Sequence, residues 1–456
     1  MATTDRWGCP LTGSDDDEQL VGDTIEAYVR MSPATADLMG GLGESAPFGR
    51  CVLAQLLIQS HRPELVSRAA GIAGELLLHR FALSPRERGH VDALVAWVSG
   101  DVKSAIDRFG EVLNDHPTDL LALRAQHLLL FNDGQIERML AVIQRVRPAW
   151  EGGLPLESFL DGMESFAREE GGSMAAAEEC GTRGAQADPT DLWAIHAVAH
   201  VLETEERRRD GIEWLTGRDD VFAGGGRFTG HLWWHRALHH LELGETDEVL
   251  RLHDEGVYPD ASEEGLDITN SAALLTRLEV ADADVGTRWG ELAGPAAVRI
   301  GQHSHVFNDV HYSFALVKAG RAEESAELRA GMRTWSRRDD TGGAVLGIVG
   351  VALADGVAAW AAGDYDTAAD LIDPVRHEIW RIGGSNAQRD VFAQILESAA
   401  ERSGRIGRAR ELLAERIVSC PLSVPSWRRY ERILRAAGDT AAADHAKERI
   451  SQLSTA

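Results

Sequence analysis

One phrase recurs along the chain and limits what it can fold into. In "WVSGDVKSAIDRFGEVLNDHP" (97–117), Gly100 is followed by a small residue five positions on (Ala105), an aromatic nine on (Phe109) and a proline seventeen on (Pro117). Glycine accepts the left-handed backbone that ends one helix, a small side chain lets the next helix approach closely, and proline ends that second helix. The phrase returns on Gly134, Gly172, Gly244, Gly320, Gly363, Gly404 and Gly438, with Ala177 and Pro189 in register after Gly172, and Ala409 and Pro421 after Gly404. Neighbouring anchors mostly lie roughly 34 to 43 residues apart, the period of helix-turn-helix repeats. In "ETEERRRDGIEWL" Glu206 takes the glycine's place, and the double-length gap from Gly244 to Gly320 leaves room for a degenerate pair at "NSAALLTRLEVADADVGTRW".

The unit resembles the tetratricopeptide repeat. The expected fold is all-α: a tetratricopeptide-like α-solenoid, a right-handed superhelix of antiparallel helix pairs running as one body over residues 21–456. Residues 1–20 are expected to be a flexible lead-in, and strands are not expected. Longer phrases are more specific: "DPTDLWAIHAVAHVLE" with "DGIEWL" (188–215), "GHLWWHRALHHLELGE" (230–245), "NSAALLTRLE" with "VGTRWGEL" (270–292), "FNDVHYSFAL" (307–316) and "IGGSNAQRDVF" (382–392). On these the chain resembles the tetratricopeptide repeat protein 38 family in its bacterial form, over residues from about 90 to 420. It departs from that pattern at Glu206, where the family usually has glycine. The resemblance implies the same α-solenoid and brings no reaction with it.

Composition narrows the partners. The 72 acidic residues against 46 basic ones give a net charge of −26, which repels phosphate backbones and anionic lipid, so neither nucleic acid nor a membrane surface is an expected partner. No uninterrupted apolar run reaches the ~18 residues of a membrane span, and the start of the chain lacks a signal-peptide pattern, so a cytoplasmic protein is expected. Cys9, Cys51, Cys180 and Cys420 show no CxxC spacing and read as reduced thiols.

The chemistry concentrates in "DLWAIHAVAHVLE" (191–203). His196, His200 and Glu203 fall on one helical stripe, and in the proteins the chain resembles such positions face the concave groove. "GHLWWHRALHH" places His231, His235 and His239 on the next first helix, and "FNDVHYSF" places Asp309 and His311 further along. Adjacent inner helices stack about 10 Å apart, so the first two groups can converge, whereas Asp309 and His311 need curvature to join them. Three readings compete. Histidines at i and i+4 can chelate a divalent ion with help from a neighbouring helix, though the HExxH glutamate is missing. They can instead serve as acid–base or ligand-binding groups oriented by Glu203 or Asp309, or they can be polar groove residues that satisfy one another.

The reading adopted assigns His200 and His235 as catalytic acid/base groups, and His196, Glu203, His231, Trp234, Asp309, His311, Gln388 and Arg389 as binding residues. It assigns no metal ligand and no definite cofactor, with a divalent metal as an open alternative. In "RIGGSNAQRD" a glycine turn enters a helix capped by Ser385 or Asn386, where backbone N–H groups and Arg389 could hold an anion; the alternative is a plain cap with Arg389 paired to an acid. "FAGGGRFTGH" (222–231), with Arg227, delivers His231 to its helix but lacks the Lys-Ser/Thr of a phosphate loop. Arg86 and His90 in "RERGH" default to surface or helix-start roles. Trp193 and Trp234 flank the histidines and could wall an apolar pocket. Two functions follow: a small-molecule site, catalytic or not, and a peptide- or protein-binding adaptor without catalysis.

Overall fold

The structure, a computed structural model, describes residues 2–259 and 262–455. From Asp15 to Thr455 the chain runs almost entirely through helices joined in antiparallel pairs. Each anchor of the repeat is a left-handed residue between two helices: Gly100, Gly134, Gly172, Gly244, Gly320, Gly363, Gly404 and Gly438 have φ between 69° and 84°. The turn is stabilised by the same pair of bonds each time. Gly134 N–H donates to the Phe131 carbonyl at 3.0 Å and Gln135 N–H to that of Leu130 at 2.8 Å, the closure that satisfies the last carbonyls of a helix. Glu206 adopts φ 59°, and Asp282, in the degenerate pair between Gly244 and Gly320, adopts φ 61°. The small residues five positions on, among them Ala105, Ala177, Ala368, Ala409 and Ala443, are completely buried where paired helices cross.

The first helices of seven of the pairs, α1 (Leu120–Asn132), α2 (Phe159–Glu170), α3 (Leu192–Thr204), α4 (Thr229–Glu242), α5 (Gly265–Val280), α6 (Val306–Lys318) and α7 (Asn386–Arg402), surround the interior. Helix α7 packs against both α3 and α5, so the superhelix comes back on itself. Direct bonds join its turns: Ser304 Oγ donates to the His61 carbonyl (2.7 Å), Asn386 N–H to Glu170 (2.9 Å) and Leu422 N–H to Glu206 (2.9 Å), between residues 216 to 243 apart in sequence. Trp380 similarly lies against Gly134, where an added Cβ would come within 2.5 Å of the indole. The result is a closed, narrow superhelix. Glu206 stands where a glycine is expected because its carboxylate bonds the next turn.

Three expectations are corrected. Residues 2–12 carry a short antiparallel hairpin, Ala2–Thr4 paired with Pro10–Thr12. Trp7, Cys9 and Leu11 are buried, with Trp7 Nε1 donating to the Pro155 carbonyl at 2.9 Å. The signal was the apolar Trp7, Cys9 and Leu11 at every second position, of which only Leu11 lies in a strand, and it was eclipsed by the acidic run that follows. Arg86 and His90 are buried as well. Arg86 pairs with Asp5 (2.9 Å) and Asp119 (2.6 Å), and His90 with Asp119 (2.8 Å), which pins the hairpin to the solenoid. Third, Thr341–Ala361 is one continuous helical stretch long and apolar enough to cross a membrane by length and composition. Its Val349, Leu353, Ala354, Val357 and Trp360 are buried in the solenoid core.

Candidate functional site

Helix α3 begins at Asp191, whose carboxylate accepts from the N–H groups of Trp193 (2.9 Å) and Ala194 (3.1 Å). Residues 192–202 are then buried without exception, because α3 is enclosed by α2, α4 and α7. His196 and His200 lie one turn apart on α3, and His231 and His235 one turn apart on α4, so two histidine pairs face each other across a helix contact.

They meet nitrogen to nitrogen. Nε2 of His196 lies 3.0 Å from Nε2 of His200 and 3.0 Å from Nε2 of His231, and Nε2 of His231 lies 3.3 Å from Nε2 of His235. One nitrogen from each of the four rings falls within 4.8 Å of all the others. The outward nitrogens face oxygen. His235 Nδ1 is 3.0 Å from Glu203, His231 Nδ1 is 3.2 Å from Asn270 Oδ1 on α5, and His200 Nδ1 is 3.6 Å from Glu169 on α2. The acceptors at His231 and His235 place the proton of those two rings on Nδ1 and leave Nε2 as a bare lone pair, whereas Nδ1 of His196 and of His200 has no hydrogen-bond partner among the described residues. Burial, reinforced by mutual repulsion of the rings, holds all four histidines well below the ordinary imidazole pKa, so they are neutral.

With Nδ1 protonated on both His231 and His235, their Nε2 lone pairs face each other at 3.3 Å with no proton between them. A cation at the centre resolves this. Zn–N bonds of about 2.0–2.1 Å in a tetrahedron give N···N edges of about 3.3 Å, close to the 3.0–3.3 Å observed. The carboxylates supply matching charge. Glu169 and Glu203 are both raised above the usual carboxylate range, in each case chiefly by burial, and Glu170 adds repulsion at Glu169. Burial thus favours their neutral forms, and a divalent ion on the rings would draw both into the ionised form, whose two charges would then balance it. Histidine held by an outer carboxylate is the recurring arrangement at metal centres.

A cavity of about 230 Å³ opens beside the cluster. His196, His200 and His231 form part of its wall, and Met31, Leu128, Phe131, Phe166, Trp193, Phe228 and Leu266 make the rest largely apolar. Arg124, His127, Ser385 and Gln388 are its polar members, and no carboxylate lines it. A second cavity of about 310 Å³ adjoins Glu203 and is lined by charges of both signs, among them Arg208, Arg277, Asp390 and Arg416.

The expected residues divide. His196, His200, His231, His235 and Glu203 come together. Trp234 is fully buried, stacked on His231 with centroids 5.3 Å apart, and so backs the cluster instead of walling the cavity. His311 does not join: its Nδ1 faces the Phe307 carbonyl at 2.8 Å and its ring packs on Phe307 and Phe392. Asp309 instead meets His303 at 3.1 Å. Helix α6 packs on α5 and not on α3 or α4, so its side chains stay out of the α3–α4 contact. His239 packs against Gly211, away from the other rings. Gln388 completes the capping box of α7 with Ser385 and borders the cavity. Arg389 is occupied: it bonds the Gly384 carbonyl and Asn386 Oδ1, lies 3.6 Å from Glu170, and does not line the histidine cavity. The Arg227 side chain lies outside the described residues.

Sequence reasoning missed Glu169, Asn270 and Arg124. Glu169 stands three residues before its anchor Gly172, as Glu203 stands three before Glu206, so repeat register could have found it. Arg124 is the one charged residue within "LLALRAQHLLLFN", a visible anomaly on an inner helix.

No family model matches the sequence. Among solved structures the chain is similar to the human IFIT1 dimer with PPP-AAAA, at 12% identity over 97% of this chain and 96% of that one, with a TM-score of 0.43. It is also similar to a chain of the Naa15/Naa10 structure bound to HypK-THB, at 14% identity over 96% of this chain and 64% of that one, with a TM-score of 0.25.

Proposed function

We propose that this α-solenoid, a relative of the tetratricopeptide repeat protein 38 family on the phrases it resembles, holds a divalent transition-metal ion on His196, His200, His231 and His235. It presents that ion to a small molecule in the adjoining cavity. The observation that carries the reading is the convergence of four neutral imidazoles, whose Nε2 atoms make successive contacts of 3.0, 3.0 and 3.3 Å, backed by the carboxylates of Glu169 and Glu203. An all-imidazole donor set suits zinc, copper, iron or nickel over magnesium or calcium. Three of the four rings border the cavity, so a ligand oxygen there can approach the ion and be polarised by it. In this reading His200 and His235 are ligands, not free acid/base groups. The closed superhelix supports a small molecule over a peptide adaptor, because the interior that a peptide would occupy is filled by contacts between turns. The net charge of −26 supports a partner other than nucleic acid.

The test is elemental analysis of untagged, dialysed protein beside His196→Ala/His200→Ala, with X-ray absorption on the metal found. Expected are about one ion per chain, four nitrogen scatterers at about 2.0–2.1 Å and loss of the metal in the double variant, with helical circular dichroism retained. Wild-type protein that is metal-free as purified and takes up none of Zn, Cu, Fe or Ni would overturn the proposal.

A further inference from the structure

The cavity beside the histidines holds a cation with nothing to pair with. Arg124 projects from α1 and is 8% exposed. Its guanidinium lies over the rings of Trp193 (4.7 Å) and Tyr28 (6.0 Å), which fixes its plane. Among the described residues no hydrogen bond or ion pair to that guanidinium is formed. Each of the other buried arginines has at least one acceptor: Arg86 has Asp5 and Asp119, Arg277 and Arg299 have backbone carbonyls, and Arg416 has Asp390 and Glu397. Its N–H donors are open to the cavity, and a guanidinium with free donors in an otherwise largely apolar cavity is placed to take an acceptor supplied from outside.

The surroundings define that acceptor. The cavity contains no carboxylate, and most of its wall is aromatic or aliphatic. We infer that it takes a small carboxylate with an apolar, preferably aromatic, body, its carboxylate on Arg124 and its far end toward the histidine cluster. A monoanion is favoured over phosphate by charge. If the ion is divalent and offset by Glu169 and Glu203, the single positive charge left in the cavity is that of Arg124. The planar fork of guanidinium matches the two oxygens of a carboxylate, and the rings of Trp193 and Phe166, edge-to-face with centroids 5.1 Å apart, give an aromatic corner for the body of the ligand. The orientation of the ligand rests on the metal reading above; the anion site itself rests on Arg124 alone.

The experiment is isothermal titration calorimetry of purified full-length protein with phenylacetate, its neutral isostere phenylacetamide, and inorganic phosphate. Metal content is measured on the same samples. Phenylacetate is expected to bind at least tenfold more tightly than either of the others. Arg124→Gln should weaken it by ten- to a hundredfold with metal content unchanged, and Arg124→Lys should restore part of the loss. Equal binding of phenylacetate and phenylacetamide, stronger binding of phosphate, or full affinity in Arg124→Gln would overturn the inference. The comparison of the two isosteres needs no variant, so it decides even if Arg124→Gln fails to fold. The two readings fail separately: metal-free protein that still prefers phenylacetate through Arg124 keeps the anion site and removes the metal centre, whereas metal-bearing protein indifferent to carboxylates does the reverse.

Discussion

Glu203 offers the sharpest test of how the histidine cluster works, because it touches only one of the four rings. Its carboxylate accepts from His235 Nδ1 at 3.0 Å, with the His235 side chain fully buried and that of Glu203 17% exposed. A hydrogen bond to an ionised partner contributes about 1.5–3 kcal/mol, a neutral one about 0.5–1.5 kcal/mol. Glu203→Gln keeps an oxygen acceptor and removes the charge, so the loss at the metal is the difference, about 1 kcal/mol or roughly fivefold in affinity. Glu203→Ala removes both and frees the imidazole to rotate, which at such centres weakens metal binding about 10- to 100-fold. The assay is competition for zinc against a chromogenic chelator, with thermal melting of the metal-free proteins as the control for folding. The expected order is wild type, then Gln, then Ala. Wild-type affinity in both variants, or Gln weaker than Ala, would refute the claim that Glu203 acts by orienting and polarising His235.

Further outcomes follow from the fold. Gly172 has φ 81° with open space around its Cβ position, so Gly172→Ala should cost only backbone strain, about 1–2 kcal/mol in urea unfolding; Gly134→Ala should cost more, because the new methyl meets the Trp380 ring at 2.5 Å and loosens the contact between turns. Trp7→Ala should destabilise the protein by about 3–5 kcal/mol and remove amide-exchange protection from the hairpin, which a flexible segment would not show. For Asp390, burial opposes ionisation, but the Arg416 and Arg277 charges outweigh it and hold the carboxyl down to about 2, against an ordinary 3.8. A folded-state value below the unfolded one gives stability that is present above pH ~4 and lost as pH falls toward 2. Urea titrations should therefore show the advantage of wild type over Asp390→Asn shrinking through that window, and a difference constant with pH would count against the assignment.

Much of the architecture was legible in the residues themselves. The glycine period encodes where helices end, since a left-handed turn is least strained in a residue without a Cβ, and all eight anchor glycines occupy such turns. The i, i+4 histidines on α3 and α4 were equally legible, because helical periodicity alone puts them on one face. The N-terminal hairpin was missed because its strands are three residues each and only Leu11 of the buried Trp7, Cys9 and Leu11 lies in one, too short a pattern to stand out beside an acidic run.

What only the tertiary structure decided are the quantities that accumulate along the solenoid. Each helix pair rotates slightly on the last, and the sum of these small rotations sets curvature; no single repeat carries it. That sum brings Glu206 to Leu422 and Asn386 to Glu170, closes the interior, and leaves His311 among phenylalanines. The same closure leaves Arg124 without an acceptor beside the rings. The four Nε2 atoms meet because α3 and α4 cross at one height, a matter of ångströms between helices. Sequence spacing determines which side chains share a face of one helix, and packing between helices determines which faces meet.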